Sequence, residues 1–299
     1  MNHVHGVLQV TGALNKSVPN PPSHPSEPSA RLTAAARRTI APVNHPPLHS
    51  TDTPTETGTV EEIRLQRRRD TAIGYRIFGA YGWGSTGDGH ISARDPELKD
   101  HFWLARYGVA FAHMTLNDIV LVGPNGNVVD APGGIDTGIN PAAYLIHWPI
   151  HEAKPEIVAA AHTHTGYGTP LSARRERILP ISQEACAFFE DHEIFDDEEL
   201  DIISLDGGKR IAAALGSARH AILANHGLLT TGQSVGEAVG FFVTMERVAE
   251  AQMKAGDGAK AISDDGARAV KRSVGPGASG WHQFQWLARR HVPELSVLG

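Results

Sequence analysis

Between Val60 and Phe78 the apolar residues recur at a mostly helical period: Val60, Ile63, Leu65, Ala72, Ile73, Ile77 and Phe78. A helix is therefore expected from Val60, with the arginines Arg67, Arg68 and Arg69 on a solvated face. Downstream the apolar positions shorten into strand-like runs at residues 90–94, 102–104, 119–122 and 128–129, the last two joined by the turn P-N-G-N. Asn140 as cap and Pro141 in the first turn open a second helix, which Pro149 is expected to kink. Residues 157–161 are a short apolar run leading into a Gly-rich loop, and residues 221–224 form another apolar strand. Helices are expected over residues 181–190 and 209–215. The eight acids of residues 190–201 read as a solvated loop or helix end. Ser234 with Glu237 makes a capping box for a long helix to about Lys254, with the stripe Val235, Val239, Phe242, Met245 and Val248.

The 299 residues are 41% apolar, which supports one domain with a real core plus a tail. Residues 1–58 hold nine of the 19 prolines and no Phe, Trp or Tyr, so this segment is expected to be disordered and dispensable. Its opening H-G-V-L-Q-V-T-G-A-L is broken by polar residues and Gly, unlike a signal peptide, and a cytoplasmic location is the expectation. Few acids and three arginines (Arg31, Arg37, Arg38) leave an organellar transit peptide as the alternative. A formal net charge of −6 without a basic stripe argues against nucleic acid. No run of 18 apolar residues exists, so no membrane span is expected. The single Cys186 excludes an internal disulfide. Residues 259–299 form a C-terminal extension whose Trp281, Phe284 and Trp286 are enough to dock on another surface, such as a neighbouring subunit.

The candidate chemistry lies in histidine. In I-V-A-A-A-H-T-H-T-G-Y-G, His162 and His164 share one face of a strand, about 7 Å apart along it. About sixty residues later H-A-I-L-A-N-H-G ends a second strand on His226, placed to supply a third nitrogen. Imidazole suits Zn, Fe, Cu and Ni, whereas Mg and Ca prefer oxygen. His147 and His151 stand four apart on a helix but lack the carboxylate of the zinc-protease motif between them, so His147 reads as packing or support. G-W-G-S-T-G (residues 82–87) formally matches the dinucleotide fingerprint. It follows a helical pattern and precedes a strand, the reverse of what that fingerprint needs. The match at residues 275–280 carries Pro276 and is rejected too.

With H-T-H-T-G-Y-G-T-P-L-S-A, A-N-H-G-L-L-T-T-G and the capped long helix in order, residues 59–258 resemble the class II aldolase/adducin family. The resemblance implies an α/β fold, three layers α/β/α around a mostly antiparallel sheet, usually a homotetramer with its metal site near a subunit boundary. It implies His162, His164 and His226 as metal ligands. Departures narrow the chemistry. The family's Ser-Ser-Glu base segment falls on N-P-A-A, with Ala143 where the Glu would stand. Its phosphate-holding Gly-Asn is Gly89-His90, and its Thr-Pro-Ser-Gly loop is A-R-Y-G (residues 105–108), so a sugar phosphate is disfavoured. Adducin-like binding modules lose the histidines, which remain here. The resemblance also extends to the non-haem iron oxygenases and decarboxylases of aminocoumarin antibiotic pathways, which act on aryl-pyruvates.

Three imidazoles leave a divalent ion its full charge, which favours a small anionic carboxylate such as a 2-oxo or 2-hydroxy acid. Fe(II) is the first choice, with three positions left for substrate and dioxygen. A Zn- or Mn-dependent aldolase or non-oxidative decarboxylase is the alternative, with His90 or Tyr167 as base. A non-catalytic module is the third reading. His90, Arg106 and Tyr107 are candidates for binding substrate.

Overall fold

Thr59 starts the first helix, α1 (Val60–Ala80): its hydroxyl accepts from the Glu62 N–H while the Glu62 carboxylate accepts from the Thr59 N–H. The computed structural model describes residues 53–197 and 202–299. Of residues 1–58, expected to be disordered, residues 1–52 lie outside these, as does the end of the acid-rich segment, while Thr53 and Glu56 make contacts with Glu237 and Arg67. The described residues belong to one compact unit, Pro46–Gly299.

Eight strands follow in chain order: β1 (Gly89–Arg94), β2 (Phe102–Ala105), β3 (Ile119–Val122), β4 (Val128–Asp130), β5 (Ala159–Thr163), β6 (His192–Phe195), β7 (His220–Leu223) and β8 (Gly227–Gly232). They form one sheet in the order β4-β3-β2-β1-β5-β8-β7-β6. Every pairing is antiparallel except β6 with β7. The remaining helices are α2 (Pro141–Ala153), α3 (Gly168–Arg174), α4 (Leu205–Leu215), α5 (Val235–Ala255), α6 (Asp264–Val274) and α7 (Gly277–His291).

Strand alternation separates two helical layers. Ile91, Ala93, Trp103, Ala159, Ala161 and Leu228 pack with Tyr75 and Phe78 of α1, Phe242 and Met245 of α5 and Phe284 of α7. Their strand neighbours face the other way. Ala221, Leu223 and Leu229 join Ile146, Ile150, Ile211 and Leu215 of α2 and α4, and Phe102, Leu104, Val120 and Val122 join Ala143. The result is the expected helix–sheet–helix sandwich.

Several local expectations need correction. The arginine run is not a solvated face. Arg67 is buried, pairs with Glu56 and donates to the Arg94 carbonyl, while Arg68 lies over the Trp103 ring at 4.9 Å. That face of α1 turns onto the sheet, and the long side chains reach polar groups at its margin. Residues 181–190 form only a 3₁₀ turn, Glu184–Phe188, because A-C-A-F buries on every side and Glu190 takes a left-handed φ of 53°. The acid-rich segment contains β6, an edge strand whose charges suit an edge. Sequence reasoning did not mark β8, whose Gly and Thr are fully buried, nor α3 inside the Gly-rich loop. α4 starts at Leu205 rather than Lys209, with Ser204 as its cap.

The capping box of α5 is half formed. Ser234 accepts from the Glu237 N–H, but the Glu237 carboxylate turns to the Gln233 N–H and Arg219. α2 runs through Pro149 to Ala153. A proline at 149 frees the Leu145 carbonyl, and Gly208 of α4 packs so near it that a Cβ there would lie 1.9 Å from that oxygen. Of the C-terminal aromatics, Phe284 docks on α5 of the same chain, while Trp286 is 58% exposed.

Candidate metal centre

β5 carries His162 near its end, and His164 follows one residue beyond the strand. β8 begins at Gly227 directly after His226, which sits in the tight turn from β7. Asn225 takes a left-handed φ of 55° in that turn, and the His226 N–H donates to the Leu223 carbonyl. Gly227 packs closely against the cluster: a Cβ would sit 3.4 Å from the His162 Cε1 and 3.3 Å from the Thr163 carbonyl. The turn thus aims His226 at His162 and His164. One ring nitrogen from each of His162, His164 and His226 lies within 4.8 Å of the other two. Nitrogens bound to one ion at about 2.1 Å would stand roughly 3 to 3.5 Å apart, so small ring rotations suffice.

The donor chemistry fits a divalent ion. His162 Nδ1 donates to the Leu228 carbonyl at 2.7 Å, which leaves Nε2 bare. Burial, reinforced by the neighbouring imidazoles, holds the His162 pKa well below its ordinary value, so the ring is neutral. The Asp88 carboxylate stands 3.8 Å from His164 Nδ1, where it can orient that ring from behind. Glu246 of α5 braces the loop after His164, accepting from the Thr165 hydroxyl at 2.6 Å, the Tyr167 N–H at 2.9 Å and the Gly168 N–H at 2.7 Å. Burial raises the Glu246 pKa against the pull of those donors.

Behind the cluster stands a buried polar row. His90 on β1 pairs in register with His162 on β5, and their ring centroids are 5.0 Å apart. His90 Nδ1 lies 2.8 Å from His147 Nε2, His147 Nδ1 lies 2.7 Å from the Ser92 hydroxyl, and that hydroxyl lies 2.8 Å from His151 Nε2. Burial pushes the His90 and His147 pKa values well down and that of His151 to about 3. His147 therefore supports His90, and the two α2 histidines share a serine rather than an ion.

A cleft of about 310 Å³ opens beside His90, with Arg106, Tyr107, Ala143, Tyr75 and Phe111 in its wall. The candidate residues are thus divided. His90 touches both cluster and cleft. Arg106 lines the cleft but is paired with Asp118 at 2.8 Å. Tyr167 stands on the loop after His164 with its ring toward Lys254 of α5, 5.4 Å from Nζ. Sequence reasoning passed over Asp88, Ser92 and Glu246. The alternation of His90, Ser92 and Arg94 along one strand was the available signal.

Residues 69–253 match the class II aldolase and adducin N-terminal domain. The chain belongs to the class II aldolase and adducin family. It is 33% identical over 260 residues to a 4-hydroxy-3-prenylphenylpyruvate oxygenase/4-hydroxy-3-prenylbenzoate synthase of Streptomyces roseochromogenus subsp. oscitans, covering 85% of this chain and 90% of that protein. It is 33% identical over 246 residues to decarboxylase NovR of Streptomyces niveus, covering 80% and 90%. Among solved structures it is similar to an L-fuculose 1-phosphate aldolase from Glaciozyma antarctica PI12, at a TM-score of 0.75 and 32% identity, over 84% of this chain and 99% of that one. The fold described above is thus shared with that solved aldolase.

Proposed function

We propose that this family member is a mononuclear metal enzyme that cleaves a carbon–carbon bond next to a carboxylate. The reaction is Fe(II)-dependent oxidative decarboxylation of an aryl-pyruvate or 2-hydroxy acid in secondary metabolism. The carrying observation is a cluster of three histidines (His162, His164, His226) beside a cleft in which Ala143 offers only a methyl group. The likeness to the two Streptomyces proteins supports the substrate class. A bound divalent ion supplies Lewis-acid chemistry and, as iron, redox chemistry.

The protein's own groups do the rest. Neutral imidazoles preserve the ion's charge for an anionic chelate. Tyr75, Phe111 and Leu104 give the cleft apolar walls suited to a ring, while Arg106 and Tyr107 offer polar atoms at its rim. The working form in this reading is a cytoplasmic homotetramer. The similarity to the fuculose-phosphate aldolase favours, as a second reading, a Zn- or Mn-dependent lyase acting without oxygen.

The test is purification without oxygen, metal analysis, and oxygen uptake with phenylpyruvate and related hydroxy acids. Iron-loaded protein should consume oxygen with an aryl-pyruvate, and zinc-loaded protein should not. Cleavage that proceeds with Zn or Mn and no oxygen uptake would replace the first reading with the second.

A further inference from the structure

The cleft beside His90 is aromatic on one side and electrically cancelled on the other. The Ile91 backbone takes up the Tyr75 hydroxyl, its N–H donating to it at 2.8 Å and its carbonyl accepting from it at 3.3 Å, so Tyr75 offers the cleft its ring. The Phe111 ring meets that of Tyr75 edge-on at 4.7 Å and abuts Gly84, where a Cβ would lie 2.1 Å from it. Among the described residues of the wall, Arg106 alone carries a formal charge, since burial keeps His90 neutral. Asp118 cancels that charge. Its Oδ1 accepts from Arg106 Nε and stands 2.8 Å from Nη2. Its Oδ2 accepts from the Thr115 N–H at 2.9 Å and hydroxyl at 2.6 Å, which pins the carboxylate in place. The Arg106 N–H also donates to the Asp118 carbonyl at 2.8 Å, just beyond the Ala105–Ile119 pair of β2 and β3. Asp88, close by in the chain, accepts from the wall residue Thr86 at 2.5 Å and adds no positive charge. The side chains of Arg106 and Asp118 are only 19% and 10% exposed. Drawing Arg106 away to an anion would strand Asp118 with little water, a loss the new contact does not offset.

We propose that Asp118, by cancelling Arg106, sets the charge selectivity of the cleft, which admits an uncharged aromatic end of the substrate and turns away an anionic one, such as a phosphate or second carboxylate. The role deepens the proposed function and rests on its reading of the substrate's carboxylate as bound at the metal centre. An anion entering the cleft sheds water and meets no net positive charge in exchange. An apolar ring loses little hydration and packs on Tyr75 and Phe111. Asp118 lies outside the wall and is a positioning residue, acting only through Arg106.

Two measurements on the full-length chain decide the proposal. The first is calorimetric binding to zinc-loaded protein of phenylpyruvate and of 4-carboxyphenylpyruvate, which carries a second anionic group on its ring. The wild type should bind phenylpyruvate about tenfold or more tightly than the dianion. Asp118→Asn uncovers the charge of Arg106 and should shrink that ratio about tenfold or reverse it, and adding Arg106→Gln should restore it. Loosening of the fold alone would weaken both ligands and leave their ratio as it was. A wild type that prefers the dianion, or a ratio unmoved by Asp118→Asn, overturns the proposal. Should Asp118→Asn not fold, Arg106→Gln makes the test with the opposite sign. It leaves the Asp118 charge uncancelled and should shift preference toward the cationic 4-trimethylammoniophenylpyruvate about tenfold, and an unshifted preference overturns the proposal.

The second is a ³¹P NMR titration of the metal-free protein with inorganic phosphate, so that no ion competes for the anion. Asp118→Asn should bind phosphate about tenfold more tightly than the wild type, and adding Arg106→Gln should abolish the gain. Phosphate held equally by the wild type and Asp118→Asn, and lost in Arg106→Gln, would show that Arg106 was never cancelled. No gain in Asp118→Asn overturns the proposal as well. If the zinc-loaded wild type binds neither pyruvate, the substrate reading of the previous subsection fails, while phosphate still decides the charge of the cleft.

Discussion

His220 on β7 lies between the rings of Phe188 and Phe241, and among the described residues neither of its ring nitrogens is hydrogen-bonded. Burial presses its pKa from 6.5 to about 3, against Asp191 and together with Arg219, His192 and Lys271. The folded chain thus resists a proton that the unfolded chain accepts. Stability from this group is complete above pH 6.5 and is lost as pH falls toward 3. His220→Leu should move the acid-unfolding midpoint to lower pH and leave stability at pH 7 unchanged or higher, as followed by circular dichroism. An unmoved acid limb would assign the acid sensitivity to other groups, His151 among them.

At the candidate centre, His162→Ala, His164→Ala and His226→Ala should each lower bound metal sharply while the fold is kept. A variant with full occupancy removes that residue from the ligand set. Ala143→Glu puts a carboxylate into the cleft beside His90. Metal binding should hold or tighten, and oxygen uptake with phenylpyruvate should fall. Proton exchange at the substrate's α-carbon would rise only if the site is a lyase short of a base. The three histidines were legible because strand period and a strand-end glycine place them without tertiary knowledge. Asp88, Ser92 and Glu246 were not, since ordinary polar residues gain roles only from partners 55 to 81 positions away or across a sheet pairing.

Among the elements, α5 and α7 meet at a close crossing where Gly240 faces the Gly280 carbonyl. A Cβ on Gly240 would lie 1.8 Å from that oxygen. Gly240→Ala must therefore move backbone, and thermal unfolding should show a loss of about 2 kcal/mol or more. The metal content should not change, because the cluster lies on other elements. A variant as stable as the wild type would mean that α7 shifts freely. Helices α1, α2 and α5 were readable from caps and period. β8 and β6 were not, because a strand rich in Gly and Thr and an acidic edge strand both carry loop composition. Pairing with β5 and with β7, rather than propensity, makes them strands.

For the whole molecule, the boundary of the tail can be tested. Thr53 donates to the Glu237 carboxylate at 2.9 Å, and Glu56 pairs with the buried Arg67. Deleting residues 1–50 should leave the melting temperature within about a degree. Extending the deletion through residue 58 removes the carboxylate partner of the buried Arg67 and should lower it by several degrees. Equal stability of both truncations would show that Arg67 finds another partner. Sedimentation should give about four times the chain mass of 32.1 kDa if the homotetramer is the working form.

The pairing of His90 with His162 joins β1 to β5 across some seventy residues, and that of His162 with Leu229 joins β5 to β8 across nearly as many. Loop-closure entropy makes such distant pairings slow to form, so the central strands should zip up late in folding. Before that, the chain holds only the adjacent pair His162 and His164, a weak two-point grip on any cation. Metal uptake during refolding should then lag behind helix formation and coincide with the last burial of tryptophan. An ion added at the start would gain its tight hold only after the sheet had closed, and its capture would time the completion of the fold.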